Sequence, residues 1–178
     1  MGAKPSTLSP EELSELQETT GFTPNQIKRL YHRFKNLDKD NTGTLNSDEF
    51  LAIPELAMNP LAPRIIAVFD IEKADMVNFG QFLRVLSVFQ ADRSREDKVR
   101  FAFRLYDVDN DGFVSPADLH EVLKMLVGVH VSEDQLRQII DSTIQEADTI
   151  DHDGKLSFPE FAEVLKTTDM ASKLSIAF

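Results

Sequence analysis

Apolar residues fall at helical spacing in several stretches of this chain, and short acidic segments without that period lie between them. Ile27, Leu30, Tyr31, Phe34 and Leu37 form one stripe, and Leu136, Ile139, Ile140, Thr143 and Ile144 form another. Start signals mark the helices. Thr23-Pro24-Asn25-Gln26 joins an N-cap, a Pro at the first helical position and a capping-box Gln, with Phe22 and Ile27 placed as a hydrophobic staple. Ser9-Pro10-Glu11-Glu12 repeats the device with Leu8 and Leu13, and Ser132-Glu133-Asp134-Gln135 does so with Val131 and Leu136. Ser115-Pro116 and Asn59-Pro60 predict two further helix starts. Phe34 and Phe50 flank residues 38–49 as Phe103 and Leu119 flank residues 107–118; with Phe69, Phe82 and Phe161 they form the predicted core. Gln90–Asp97 (QADRSRED) is polar and aperiodic, so it is the expected break between two lobes.

The acidic segments carry the chemistry. Asp38–Glu49 (DKDNTGTLNSDE) sets out oxygen donors in the order a calcium loop requires. Asp38, Asp40 and Thr42 come first, Gly43 allows the sharp turn, and Thr44 offers its carbonyl. Leu45 then points to a short strand shared with a neighbouring loop, Asn46 is suited to hold a water, and Glu49 reaches with both oxygens. Asp107–Asp118 (DVDNDGFVSPAD) repeats the order with Asp107, Asp109, Asp111, the carbonyl of Phe113, and Asp118. Thr149–Glu160 (TIDHDGKLSFPE) supplies Asp151, Asp153, the carbonyl of Lys155, and Glu160. Asp70–Gln81 (DIEKADMVNFGQ) keeps the length and Val77. It has Ala74, Asp75 and Gln81 where a donor, Gly and the bidentate acid belong, so it is expected to keep the fold and lose the ion.

Four such repeats predict an all-α protein of four EF-hands paired into two lobes. The expected parts are an N-terminal segment 1–20, a lobe 21–89, a linker 90–97, a second lobe 98–168 and an apolar tail 169–178. Two or three Ca²⁺ ions are expected. Thr42 is neutral, which lowers the affinity of the first loop relative to a fully acidic one. Asp118 is one methylene shorter than Glu, so the third loop is expected to accept Mg²⁺ as well. Asp148 to Gly154 spans one residue more than the motif allows. Either Thr149 opens the fourth loop and the site is weak, or a bulged loop over 148–160 lets Asp148 coordinate.

Charge sharpens this picture. The net charge is −11, which argues against nucleic acid as a partner. Of the 30 acids, twelve lie in the three well-formed loops, and the remaining 18 stand against the 19 bases of the whole chain. The acidity is therefore gathered at the ion sites, where it repels itself unless a cation is bound. There is no Cys, which excludes disulfides and thiolate metal sites. No stretch approaches the apolar length of a membrane span or a signal segment. His32, His120, His130 and His152 lack zinc-like spacing, and no nucleophile–base motif or phosphate loop occurs, so no enzyme is expected. MGAKPS fits the N-myristoylation pattern at Gly2, predicting a cytoplasmic protein peripheral at membrane surfaces; one such chain anchors only marginally.

The strings RLYHRFKNLDKDNTGTLNSDEF, IPELAMNPLAPRII, FAFRLYDVDNDGF and TIQEAD resemble the calcineurin B-like branch of the calmodulin-like EF-hand superfamily. Within it the opening STLSPEELSELQETTGF and the closing DMASKLSIAF make the chain most similar to the calcineurin B homologous proteins, with calcineurin B second. The intact first loop and the short linker are closer to calcineurin B itself. The resemblance implies a non-catalytic, acylated regulatory protein that holds an amphipathic helix of a larger protein in an apolar cleft. For the homologous proteins that helix is the juxtamembrane region of a Na⁺/H⁺ exchanger. For calcineurin B it belongs to the phosphatase catalytic subunit. A simple Ca²⁺ buffer is the alternative of a different class; only five Met suggest a dedicated cleft. Val122–Val131 resembles a segment with a nuclear-export role, and equally reads as a core helix ending at Gly128. In the tail, Leu174, Ile176 and Phe178 alternate with less apolar residues. They are expected either to cover the cleft or to pack into the C-terminal lobe.

Overall fold

The computed structural model describes residues 8–69, 76–88, 90 and 94–167. Gly2, the first six residues of the second loop, part of the linker and the apolar tail lie outside them, as does the side chain of Phe69. Among the described residues the order is α1 (Pro10–Thr20), α2 (Pro24–Leu37), β1 (Thr44–Asn46), α3 (Ser47–Leu51), α4 (Pro54–Ala57) and α5 (Ala62–Phe69). There follow β2 (Met76–Asn78), α6 (Phe79–Val88), α7 (Arg95–Tyr106), α8 (Pro116–Val127), α9 (Glu133–Ala147) and α10 (Phe158–Thr167). No helix among them is long and apolar enough to cross a membrane.

The start signals act as their chemistry dictates. Thr23 Oγ1 accepts from Gln26 N at 3.3 Å and Gln26 Oε1 accepts from Thr23 N at 2.8 Å, which satisfies two amides that open α2. Ser9 with Glu12 opens α1 in the same way, Ser115 with Asp118 opens α8, and Ser132 with Gln135 opens α9. The Asn59-Pro60 start is corrected. Asn59 Oδ1 accepts from Leu61 N in a local turn, and α5 begins only at Ala62. The linker also ends earlier than expected, because Arg95–Asp97 form the first turn of α7 behind a Ser94 cap.

Loops pair through short strands. Leu45 on β1 faces Val77 on antiparallel β2, and Val114 exchanges two 2.9 Å main-chain bonds with Leu156. All four side chains are buried, so the strand pair in one lobe and the single bridge in the other each join their loops to the core. Phe34 sits edge-on to Phe79 and Phe82 in one core, and Phe103 to Phe158 and Phe161 in the other.

Helix α7 belongs to both cores. Its Phe101 and Leu105 pack with the N-terminal cluster, whereas Val99, Ala102 and Phe103 pack with the C-terminal one. One stripe assignment fails: Leu136 and Ile140 are buried, but Ile139 is 46% exposed on the flank of α9. The stripe that α9 buries runs through Leu136, Ile140 and Ala147, and Ile139 turns away from it. Helix α8 stops at Val127 because Gly128 takes φ +57°.

Candidate metal centres

The first loop is organised around Asp38, which ends α2 and is buried. Its Oδ1 accepts from Thr42 N at 2.9 Å and its Oδ2 from Gly43 N at 2.9 Å, folding the chain back over the carboxylate. Glu49 crosses the loop from α3, accepting from Lys39 N at 2.8 Å and Asn46 N at 3.1 Å. Asp38, Asp40 and Glu49 thereby bring carboxylate oxygens within 4.8 Å of one another. Thr42 Oγ1 donates to the carbonyl of Thr44 at 3.0 Å, so both expected neutral donors face the same turn. The Thr42 side chain beside Asp40, together with the Thr42 N–H donating to Asp40 Oδ1 at 3.2 Å, holds the Asp40 carboxyl below its usual range. Asn46, read as the holder of a water, uses its side-chain oxygen to cap α3 by accepting from Glu49 N at 3.0 Å.

The third loop repeats the scheme atom for atom. Asp107 accepts from Asp111 N and Gly112 N, and Asp118 accepts from Val108 N and Ser115 N. Asp107, Asp109 and Asp111 form the oxygen cluster, and the expected ligand Asp118, shorter than Glu49, is not part of it. Burial pushes the Asp107 carboxyl up, opposed by those two amides and reinforced by the charges of Asp111 and Asp118. A bound cation reverses that penalty. Phe113, whose carbonyl is the expected ligand, donates its N–H to Asp111 Oδ1 at 2.9 Å.

In the fourth loop the extra residue is absorbed at Thr149-Ile150. Both amides donate to the same oxygen, Glu160 Oε1, at 3.0 and 2.9 Å, where the other loops place a single amide. Beyond the bulge the register matches. His152 takes φ +55° as Asn41 and Asn110 do, and Gly154 takes φ +82° as Gly43 and Gly112 do. A Cβ on Gly112 or Gly154 would meet nothing within 4 Å, so it is the positive φ that demands glycine there. Asp148 occupies the opening position: its Oδ2 accepts from Gly154 N at 2.7 Å, and Asp148, Asp151 and Asp153 cluster within 4.8 Å. The opening position therefore goes to Asp148 and not to Thr149. The bulge leaves Asp148 Oδ1 without the amide that the other loops supply. It is buried with no hydrogen-bond partner, on a residue 6% exposed. A buried carboxylate oxygen of that kind calls for a cation. Burial pushes the Glu160 carboxyl up, but hydrogen bonds from Ser157, Ile150 and Thr149 outweigh it and hold it down at about 2. Lys155 offers its main chain to the turn, with its N–H on Asp153 Oδ1 at 2.8 Å.

Of the second loop, residues 76–81 are described. Gln81 and Asn78 complete a capping box at 2.8 and 2.9 Å, so a neutral amide takes the helix-capping half of the work that Glu49 does in the first hand. Sequence reasoning missed three side chains. Arg64 and Arg104 bond main-chain carbonyls across the two lobes, and Lys155 Nζ pairs with Asp111. The one signal for Arg64 was a lone charge inside the apolar run APRIIAVF. His120 pairs with Glu133 at 2.7 Å and belongs to none of the three carboxylate clusters.

Comparison with known proteins gives this geometry its context. The family model for an EF-hand domain pair matches residues 96–166. The chain is 52% identical to the calcineurin B protein of Naegleria gruberi over 176 residues, covering 99% of each protein. It is 44% identical to the type 1 calcineurin B protein of Dictyostelium discoideum over 177 residues, covering 99% of this chain and 98% of that protein. The calcineurin B protein of Candida glabrata is 42% identical over 178 residues, covering 100% of this chain and 99% of the relative. Membership of this EF-hand family implies Ca²⁺ binding, and the three carboxylate clusters, with hard oxygen donors in this order, are the candidate sites.

Proposed function

The chain belongs to the calcineurin B family of EF-hand proteins, and we propose that it is the Ca²⁺-binding, non-catalytic regulatory subunit of a calcineurin-type phosphatase. The observation that carries this reading is the match to calcineurin B relatives along essentially the whole chain, joined to three loops that gather carboxylates. The exchanger-cofactor reading, placed first from the two ends of the sequence, now stands second. The closing string lies outside the described residues, whereas the relatives match along essentially the whole chain, its centre as well as its ends.

In this reading three ions bind at the clusters Asp38/Asp40/Glu49, Asp107/Asp109/Asp111 and Asp148/Asp151/Asp153, and Asp118 and Glu160, at the last position of their loops, complete the second and third of these. The second loop stays empty. The third loop also accepts Mg²⁺, because Asp118 is one methylene shorter than Glu and reaches the ion with one oxygen, which leaves six ligands. The protein holds an amphipathic helix of the catalytic subunit, and acylation at Gly2 gives it a weak membrane preference. Co-expression with a calcineurin catalytic subunit tests the proposal. A stoichiometric complex with Ca²⁺-dependent phosphatase activity supports it, and a catalytic subunit that purifies alone overturns it.

A further inference from the structure

Arg64 lies on α5, is 8% exposed, and sends its guanidinium out of the N-terminal lobe into the third hand. Its Nε donates to Leu105 O at 3.1 Å, and its Nη2 donates to Arg104 O at 3.4 Å and Asp107 O at 3.3 Å. These carbonyls close α7 and open the third loop, where helix geometry supplies no intrahelical donor. A converse bond exists. Arg104 Nη2 donates to Val68 O at 3.0 Å, in the last turn of α5 just before the second loop. Each arginine therefore caps the helix that carries the other, and each cation sits at the negative end of a helix dipole.

The placement has a consequence for the ion. Asp107 gives its carbonyl to Arg64 and its side chain to the third cluster, so the residue that opens that loop is oriented from the other lobe. EF-hands of the sensor type respond to Ca²⁺ by changing the angle between entering and exiting helices. With α7 fixed by Arg64 and by burial of Phe101 and Leu105 in the N-terminal core, only α8 is left to move. We infer that Arg64 is a positioning residue for the third Ca²⁺ loop, and that it couples occupancy of that loop to the packing of the N-terminal lobe. This rests on the third loop being an ion site.

The test uses the full chain and Tb³⁺ as probe. Tyr106 adjoins Asp107, and the protein has two Tyr and no Trp, so Tyr31→Phe leaves Tyr106 as the sensitiser. Asp107→Asn first assigns the signal. If Tyr106-sensitised emission survives it, the third loop is not the site and the inference falls with that reading. Once the signal is assigned, Ca²⁺ is titrated against Tb³⁺. Arg64→Gln is expected to weaken third-loop Ca²⁺ affinity by about fivefold or more, while first-loop affinity by calorimetry changes less than about twofold. Arg64→Lys, which keeps the charge and loses the fork, is expected to recover part of the loss. Unchanged third-loop affinity overturns the inference, and so does equal weakening of both loops in step with melting temperature. If Arg64→Gln does not fold, Arg64→Lys decides alone, and no selective third-loop shift in it is contradictory.

Discussion

Lys155 Nζ lies 2.9 Å from Asp111 Oδ2, so a cation carried by the fourth loop sits on a carboxylate of the third. The pair spans the Val114–Leu156 bridge, and Lys155 also covers the ring of Phe113. Lys155 holds the Asp111 carboxyl below its usual range, and Asp111 pushes the Lys155 ammonium up. Ca²⁺ entering the third loop must compete with that ammonium. Lys155→Met is therefore expected to raise third-loop Ca²⁺ affinity roughly two- to fivefold, the size of a partly exposed ion pair. Titration in low and high salt checks it, with the gain shrinking as salt screens the pair.

The bulged fourth loop separates two side chains that sequence spacing left as rivals. Asp148 aims an unpartnered oxygen at its cluster, whereas Thr149 contributes its main-chain N–H to Glu160. Asp148→Asn is expected to abolish the fourth-loop binding event, and Thr149→Ala to leave it in place. Calorimetry on the two variants reads this directly. Loss of the event in Thr149→Ala alone would return the opening position to Thr149.

Stoichiometry follows from the loops. Glu49→Gln is expected to remove one binding event from three, because Glu49 gathers with Asp38 and Asp40. A fourth saturable Ca²⁺ site in the parent protein would contradict the assignment of Ala74, Asp75 and Gln81 to a loop without an ion.

Acid should loosen the α8–α9 hairpin. Lys124 and His120 both reach Glu133, at 2.8 and 2.7 Å, and hold its carboxyl down at about 2. A depressed carboxylate stabilises the fold above its ordinary value of 4.5, and that contribution is lost as pH falls from there toward about 2. Denaturant melts of Glu133→Gln and the parent, both in chelator, should differ slightly near neutral pH and converge in strong acid. The group is exposed, so the difference is small and vanishes in high salt.

Much of the fold was legible because its signals are local. Thr23 with Gln26 and Ser132 with Gln135 form their boxes within four residues, and Leu45 finds Val77 because the loop fixes its direction. Spacing likewise brings Asp38, Asp40 and Glu49 together in the first loop and Asp107, Asp109 and Asp111 in the third, where Asp118 stays outside the cluster. What spacing could not convey depends on tertiary placement. The bulge at Thr149-Ile150 is settled by the reach of Glu160, and α7 serves two cores because Phe101 and Phe103 leave the helix in different directions. Arg64 looked like an interruption of an apolar helix, since its acceptors lie some forty residues away.

In the function proposed above, this chain serves a phosphatase catalytic subunit by holding one of its amphipathic helices. The most direct measurement titrates the full-length protein, in Ca²⁺ and in chelator, with two peptides in parallel. One is the helix of a calcineurin catalytic subunit that binds calcineurin B, and the other is the juxtamembrane helix of a Na⁺/H⁺ exchanger. The account predicts a one-to-one complex with the phosphatase helix in Ca²⁺ and at least about tenfold weaker binding of the exchanger helix. Saturable binding of the exchanger helix alone, with none of the phosphatase helix, would contradict it.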